Sequence, residues 1–236
     1  MSEVSTKLFR TPELLALQRE EQAIVSAHAT RQPAGRGLLL RVDGDDGQPV
    51  PDLGGLAAVI AHVDGTRIGG DVVCRPDMLP WEDDAFQLVA VLHAGDVLPD
   101  RREVLDELVR IVAPGGLLIW FGFNAWSPWM IWLGWQTRGS GCVPHPQSAD
   151  SMLRRLLRQR LTPVGTEYLG GCWPRAHGEE RYRRGASAAL ARLYGAYGFI
   201  VRKQRAMLIT LPVQRAPQAV VIQPHLAMSS QRVRAG

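Results

Sequence analysis

Apolar positions along the chain fall into short continuous runs that alternate with helical stripes. That alternation predicts a layered α/β domain. The first signal is helical: Thr11, Pro12 and Glu13 offer a hydroxyl N-cap, a proline at the first helical position and an acid in the first turn. Leu14, Leu15, Leu17, Ala23, Ile24 and Val25 give this helix an apolar stripe, and its end is expected near His28. A glycine-containing connector over residues 32–37 leads into GLLLRV at 37–42, which reads as a buried strand. The turn Asp43-Gly44-Asp45-Asp46-Gly47 follows it. LAAVIAHV at 56–63 is a second strand candidate, with a short helix as the alternative. Residues 71–74 suggest a brief third strand, residues 79–84 an acidic loop, and FQLVAVL at 86–92 a fourth strand.

Residues 99–112 form the best-patterned helix, with Val104, Leu105, Leu108, Ile111 and Val112 on one face. Pro114-Gly115-Gly116 is expected to stop it, and LLIWF at 117–121 makes a fifth strand. A strand, crossover helix and strand over 86–121 must be parallel and right-handed. Ser148 is expected to cap a helix over 148–161 that turns Met152, Leu153, Leu156, Leu157 and Leu161 inward. A strand is expected at 162–168 and a shorter helix at 186–194. Residues 199–211 read as two strand segments or one bent strand. The organisation expected is an N-terminal helix and connector (1–36), one domain (37–213) and a disordered tail poor in large apolar residues (214–236).

Composition narrows the class. Of 236 residues, 46% are hydrophobic and 21% charged, which suits one globular core and excludes a disordered chain. The net charge of +4 is small, and the arginine groups at 154–160 and 181–184 read as solvated helix faces, so nucleic acid is not the expected partner. Cys74, Cys142 and Cys172 are far apart and lack metal-site or redox spacing. They are expected to be buried free thiols, and no metal is expected. Residues 1–10 lack a signal-peptide apolar run, and the apolar stretch at 126–135 is too short to span a bilayer. A cytoplasmic location is the expectation.

Motifs in the middle of the chain say more. Leu79-Pro80-Trp81 opens an acidic loop, and Phe86-Gln87-Leu88-Val89 starts a strand. Leu105, Glu107 and Arg110 form an L-x-E-x-x-R helix motif, followed by Pro114-Gly115-Gly116 and another strand. In this order, residues 79–124 resemble the post-cofactor half of small-molecule class I S-adenosylmethionine (SAM)-dependent methyltransferases. The resemblance implies a Rossmann-like fold, a mostly parallel sheet with an antiparallel C-terminal strand. It also implies SAM as cofactor and methyl transfer to a small-molecule acceptor. The family's glycine turn is altered: Arg41-Val42-Asp43-Gly44-Asp45-Asp46-Gly47 stands in its place, Arg75 and Gln87 stand where the family has aspartates, and the short 42–72 interval lacks room for one helix. A methyltransferase-like domain that binds a ligand or partner without turnover is therefore the alternative.

Ligands of open parallel sheets bind beyond the carboxyl ends of the strands. Asp43, Gly44 and Gly47 are accordingly the candidate cofactor turn, or merely a tight loop. Asp64, 20 positions after Gly44, is the candidate ribose acceptor, or a surface turn with Gly65. Asp77, Met78 and Leu79 are the candidate adenine site: a carboxylate for the amino edge and apolar side chains for the ring face. The alternative is a loop that packs Leu79 and Trp81 into the core. His93 at the end of the fourth strand is a candidate base and substrate contact, or a structural histidine. Asn124 and Trp126 are candidate substrate contacts, while Ser127 suits a helix cap. Trp126, Trp129, Trp132 and Trp135 recur every three residues. They fit a lid over a flat substrate, an interfacial helix, or an apolar helix packed on the domain.

The acids of the glycine-poor turn oppose the carboxylate of SAM's methionine moiety. Asp43→Gly with Asp45→Gly is expected to tighten SAM binding by removing charge and allowing closer backbone approach. Unchanged affinity in a folded variant, measured by calorimetry, would locate the cofactor away from this turn.

Overall fold

The computed structural model describes residues 8–42, 50–64, 66–70, 73–98, 101–138, 144–175 and 193–204, all within the unit Met1–Ala206. Helix α1 (Pro12–Ala29) precedes strands β1 (Gly35–Arg41), β2 (Leu56–Asp64), β3 (Arg67–Gly70) and β4 (Phe86–Leu92). Helices α2 (Ala94–Val97) and α3 (Arg101–Ile111) lead to β5 (Val112–Phe123). Helices α4 (Trp129–Gln136) and α5 (Ala149–Arg158) precede β6 (Leu161–Leu169) and β7 (Ala196–Lys203).

The seven strands form one sheet in the order β3-β2-β1-β4-β5-β7-β6. Pairs β1–β2, β1–β4 and β4–β5 are parallel, while β7 is antiparallel to β5 and β6, and β3 is antiparallel to β2. This is the α/β, Rossmann-like arrangement expected, mostly parallel with an antiparallel C-terminal strand. Alternation along the strands fills two cores. Leu38, Leu40, Val89, Val91, Leu118 and Trp120 pack with Val104, Leu105, Leu108 and Ile111 of α3 and with Met152 and Leu156 of α5. Leu39, Leu88, Ala90, Ile119, Phe121 and Phe123 pack with Leu14, Leu17, Ile24 and Val25 of α1 and with Trp129 and Leu133 of α4. The near-continuous burial of β4 and β5 follows from coverage on both faces. Helix α1 thus shares a core with the sheet.

Several sequence expectations change. The third strand is Arg67–Gly70, ahead of the expected 71–74, of which residues 71 and 72 lie outside the described residues: β2 turns back directly into β3 as a hairpin, so no crossover helix separates them. Cys74 then bridges back to Ile68, and a tight turn joins Arg75 to Met78. Thr11 does not cap α1 with its side chain; its hydroxyl donates back to the Leu8 carbonyl at 3.0 Å. Leu157 is 45% exposed, because α5 buries only the stripe carrying Met152 and Leu156. Cys172 is exposed, whereas Cys74 is half-buried, and that burial pushes its thiol pKa up. Ser148 does cap α5, accepting from the Ser151 amide at 3.3 Å. Cys142, residues 186–192 of the expected helix, residues 205–211 and the tail lie outside the described residues, and the last two positions of that helix, Leu193 and Tyr194, form a turn before β7.

The Pro114-Gly115-Gly116 segment acts at the helix-to-strand reversal. Pairing between β4 and β5 jumps from Phe86↔Val112 to Leu88↔Leu117, so residues 113–116 loop out. Gly115 has φ 84°, and a Cβ on Gly116 would lie 2.9 Å from the Gln87 carbonyl oxygen. Both conditions select glycine. Pro163 sits at a bulge of β6, the edge strand, where a missing N–H is tolerated.

Lys203, at the end of β7, closes α3. Its Nζ donates to the carbonyls of Val109 (2.8 Å), Arg110 (3.1 Å) and Val112 (2.7 Å) and pairs with Asp84 at 2.8 Å. A cation at a helix carboxyl end satisfies otherwise unpaired carbonyls and the helix dipole. Lys203→Met is expected to cost about 1–3 kcal/mol in urea unfolding. An unchanged midpoint would show that water replaces the ammonium without loss.

Candidate functional site

The strand register defines one level across the sheet. His62 of β2, Arg41 of β1, Leu92 of β4, Phe121 of β5 and Gly198 of β7 stand side by side. Beyond that level, the carboxyl ends of β1, β2, β4 and β5 make a rim that carries Asp64, His93 and Asn124. Asp43, Gly44 and Gly47 follow β1 in sequence and lie outside the described residues. Asp64 is the last residue of β2, and its backbone pairs with Arg67 across the hairpin. Because Cys74 runs back antiparallel to β3, the Arg75–Met78 turn returns toward this same rim.

That turn offers a mixed surface. The Arg75 guanidinium donates to both Asp77 oxygens, at 2.9 and 2.5 Å, holding the carboxyl below its ordinary pKa. Met78 is 71% exposed. Leu79 belongs to the core at 4% exposure, so it does not present an apolar face to a ring. Packing of Leu79 inward, with half-buried Trp81 beside it, is the reading that fits its position.

Glu107 and Arg110 explain why the loop is held. The Leu79 amide donates to Glu107 at 2.9 Å. The Arg110 guanidinium donates to the carbonyls of Leu79 (3.0 Å) and Trp81 (2.9 Å), to Asp83 (2.7 Å) and to both Glu107 oxygens. The hydrogen bonds from Arg110 keep the Glu107 carboxyl below its ordinary range. The L-x-E-x-x-R spacing thus places an acid and a base on one face of α3, where together they clamp the loop descending from the rim to β4.

His93 stands at the centre of a buried charged cluster. Its Nε2 donates to Glu21 at 2.7 Å and its Nδ1 to Asp96 at 3.0 Å. The same Asp96 oxygen accepts from the Phe123 amide at 2.8 Å. All three side chains are nearly inaccessible, and the imidazole stacks on Phe123 at 3.9 Å. Burial disfavours the charged ring, but the Glu21 charge and the hydrogen bonds that the ring donates to both carboxylates outweigh it and push the pKa up to about 10. Burial also raises the neighbouring Glu20 carboxyl. With both nitrogens donating, the ring has no free lone pair for an acceptor's proton, so the geometry fits a structural imidazolium and not a base. Its backbone is left-handed, with φ 55°, a conformation that a fully engaged side chain can hold. The sequence reading missed Glu21 and Asp96. Glu21 was detectable: it lies seven positions after Leu14 and four after Leu17, an acid on the buried stripe of α1.

Asn124 is buried and spent on the backbone. Its Nδ2 donates to the Tyr194 carbonyl at 3.2 Å, and its Oδ1 accepts from the Trp126 amide at 3.3 Å. It ties the end of β5 to the entry of β7. Ser127 accepts from the Trp129 amide at 3.1 Å, but the N-cap position of α4 is Pro128, one residue later than the expected cap. Trp126 is 73% exposed.

The imidazolium makes a pH prediction. The folded pKa lies above the unfolded value of 6.5, so the stabilisation is complete below pH 6.5 and is lost as pH rises toward about 10. His93→Gln leaves two buried carboxylates without a cation and is expected to cost about 3–5 kcal/mol near neutral pH. It should also flatten the alkaline fall in stability. Urea unfolding across this range checks both, and a variant with an undiminished alkaline fall would contradict the assignment.

Comparison with known proteins places these features. Residues 59–120, from β2 into β5, match the family described as a methyltransferase domain. A stretch of 40 residues is 45% identical to the chloroplastic tocopherol O-methyltransferase of Arabidopsis thaliana, covering 17% of this chain and 12% of that protein. A SAM-dependent methyltransferase of Thermotoga maritima, described as a possible histamine N-methyltransferase, superposes with TM-score 0.55 at 13% identity, covering 84% of this chain and 94% of that one. The 1,6-didemethyltoxoflavin-N1-methyltransferase of Burkholderia thailandensis, solved with 1,6-didemethyltoxoflavin and S-adenosylhomocysteine, gives TM-score 0.52 at 13% identity over 80% of this chain and 79% of that one. The central segment, residues 59–120, thus matches the methyltransferase domain family, and the fold of the chain is that of the SAM-dependent methyltransferases.

Proposed function

We propose that the protein transfers a methyl group from SAM to a small-molecule acceptor and holds the cofactor along the rim formed by β1, β2 and the Arg75–Met78 turn. The observation that carries this reading is the family match over residues 59–120, which spans β2 to β5 and therefore the strand ends that build the rim. The residues fit an adenosine in part. Asp64 is the last residue of β2, a position from which an acid would meet the ribose hydroxyls, and Asp77 is a carboxylate on an exposed turn that would accept from an exocyclic amine while paired to Arg75. Met78 offers an exposed apolar side chain for the ring face, a role that Leu79 leaves to it. Asp43, Gly44 and Gly47 would lie against the methionine moiety.

SAM, when bound, supplies a methyl group activated by its sulfonium. The chain's own task is to orient the acceptor in line with that methyl and to exclude water. His93 serves by positioning: its bonds to Glu21 and Asp96 fix the end of β4, while the acceptor's proton leaves by another route. Asn124 fixes the loop that carries Trp126 in the same way. The relatives named for tocopherol and 1,6-didemethyltoxoflavin act on small molecules, which supports an acceptor of that size. A second reading is a methyltransferase-like domain that binds without turnover. The aspartate-rich turn at 43–47 and the Arg75–Asp77 pair favour it.

Calorimetric titration with SAM and S-adenosylhomocysteine separates the readings. Wild-type protein is expected to bind both. Asp64→Ala and Asp77→Ala should each weaken binding by roughly ten- to a hundredfold with little change in Tm. No binding at millimolar ligand would favour the non-catalytic reading. Binding that neither substitution alters would put the adenosine elsewhere.

A further inference from the structure

Helix α4, with sequence WMIWLGWQ, is apolar around its whole circumference, yet only half of it is covered. Its inner stripe, Trp129, Leu133 and Thr137, is 1%, 3% and 6% exposed. Trp129 lies directly on the backbone at the start of β7, where a Cβ on Gly195 would stand 2.4 Å from the indole. The helix is therefore fixed, and its outer face is a built surface. That face carries Ile131 at 59% and Trp135 at 65% exposure, four residues apart, and then Arg138 three further on. Trp126, 73% exposed, precedes the helix on the loop held by Asn124.

A second segment borders the same place. The Gly195 amide bonds to the Gly171 carbonyl at 2.9 Å, and the Ser127 hydroxyl to the Leu193 carbonyl at 3.3 Å. These bonds bring residues 170–175 and 193–195 to the base of α4, and with them Trp173, 52% exposed, and the exposed Arg175. Large exposed apolar surface on a folded protein marks an interaction site. The exposed charges on these segments are cationic: residues 108–149, 170–175 and 193–195 contain no acid, and the neighbouring Glu20 carboxylate is taken up by the Gly170 amide at 3.2 Å.

We propose that this face docks on the surface of an anionic lipid bilayer, with Trp126, Ile131, Trp135 and Trp173 in the headgroup layer and Arg138 and Arg175 against lipid phosphates. Tryptophan carries an apolar ring and an N–H donor, which suits the boundary between headgroups and acyl chains. At eight residues, α4 lies in the interface and does not cross it. A second copy of the chain is a poorer occupant, because a two-fold contact of this face with itself would bring the exposed Arg138 and Arg175 of one copy toward those of the other. Docking places the strand-end rim, from which α4 springs directly after β5, close to the lipid. The inference does not depend on SAM binding and fails or stands separately from it.

Co-sedimentation with vesicles tests it. The full chain is expected to pellet with phosphatidylcholine vesicles containing phosphatidylglycerol, and much less with phosphatidylcholine alone. Trp126→Ser with Trp135→Ser should weaken binding by at least about tenfold, with unchanged circular dichroism, since both side chains are exposed. Should that pair disturb folding, Arg138→Glu at an exposed position carries the test. It should weaken binding to the anionic vesicles about fivefold and leave the neutral-vesicle value unchanged. The proposal is overturned by the absence of binding to anionic vesicles, by equal binding of the variants, or by concentration-dependent self-association in lipid-free solution that the tryptophan substitutions abolish.

Discussion

Three ionisable side chains buried together at the carboxyl end of β4 govern the geometry of the rim. Placing a charge in the interior costs several kcal/mol, and the Glu21–His93–Asp96 arrangement offsets that cost by giving the imidazolium a carboxylate at each nitrogen. Each member comes from a different element. Glu21 lies on α1, His93 follows β4 in a left-handed conformation, and Asp96 on α2 also receives the Phe123 amide of β5. The cluster thereby joins the N-terminal helix to the two central strands at the edge where ligands of parallel sheets bind. A histidine committed in this way has a carboxylate on each ring nitrogen.

Much of the fold was legible because parallel strands covered on both faces are continuous apolar runs. Residues 86–92 and 117–121 carry that signal, and α3 between them shows clear helical periodicity. The boundaries near glycine and proline were harder. Pro114-Gly115-Gly116 reads as a helix stop, yet these residues bulge within β5, because pairing with β4 starts at Val112 before they loop out. The third strand was misplaced because Arg67–Gly70 has a single apolar side chain, Ile68, and its pairing is set by the hairpin from β2.

The candidate site was legible at the level of motifs and less so at the level of side chains. Leu79 and Asn124 occupy sequence positions next to a ligand rim, but each is consumed by long-range hydrogen bonds or core packing that no local pattern encodes. Arg110 and Lys203 show the converse: Arg110 donates to the carbonyls of Leu79 and Trp81, and Lys203 to those of Val109, Arg110 and Val112, contacts 29 to 94 positions away in sequence that no local pattern encodes. The tryptophan series divides by burial, not by type, since a helical period fixes which positions share a face but not which face the sheet covers.

The β2–β3 hairpin shortens the N-terminal half, yet the rim persists, because β1, β2 and β4 keep their parallel register. The central claim, that a SAM-type cofactor lies on this rim, is tested most directly by amide hydrogen exchange with and without saturating S-adenosylhomocysteine. The account predicts added protection confined to the end of β2, the Arg75–Met78 turn and residues 42–49. Protection confined to β6, β7 or α5, or no change at any peptide, would contradict it.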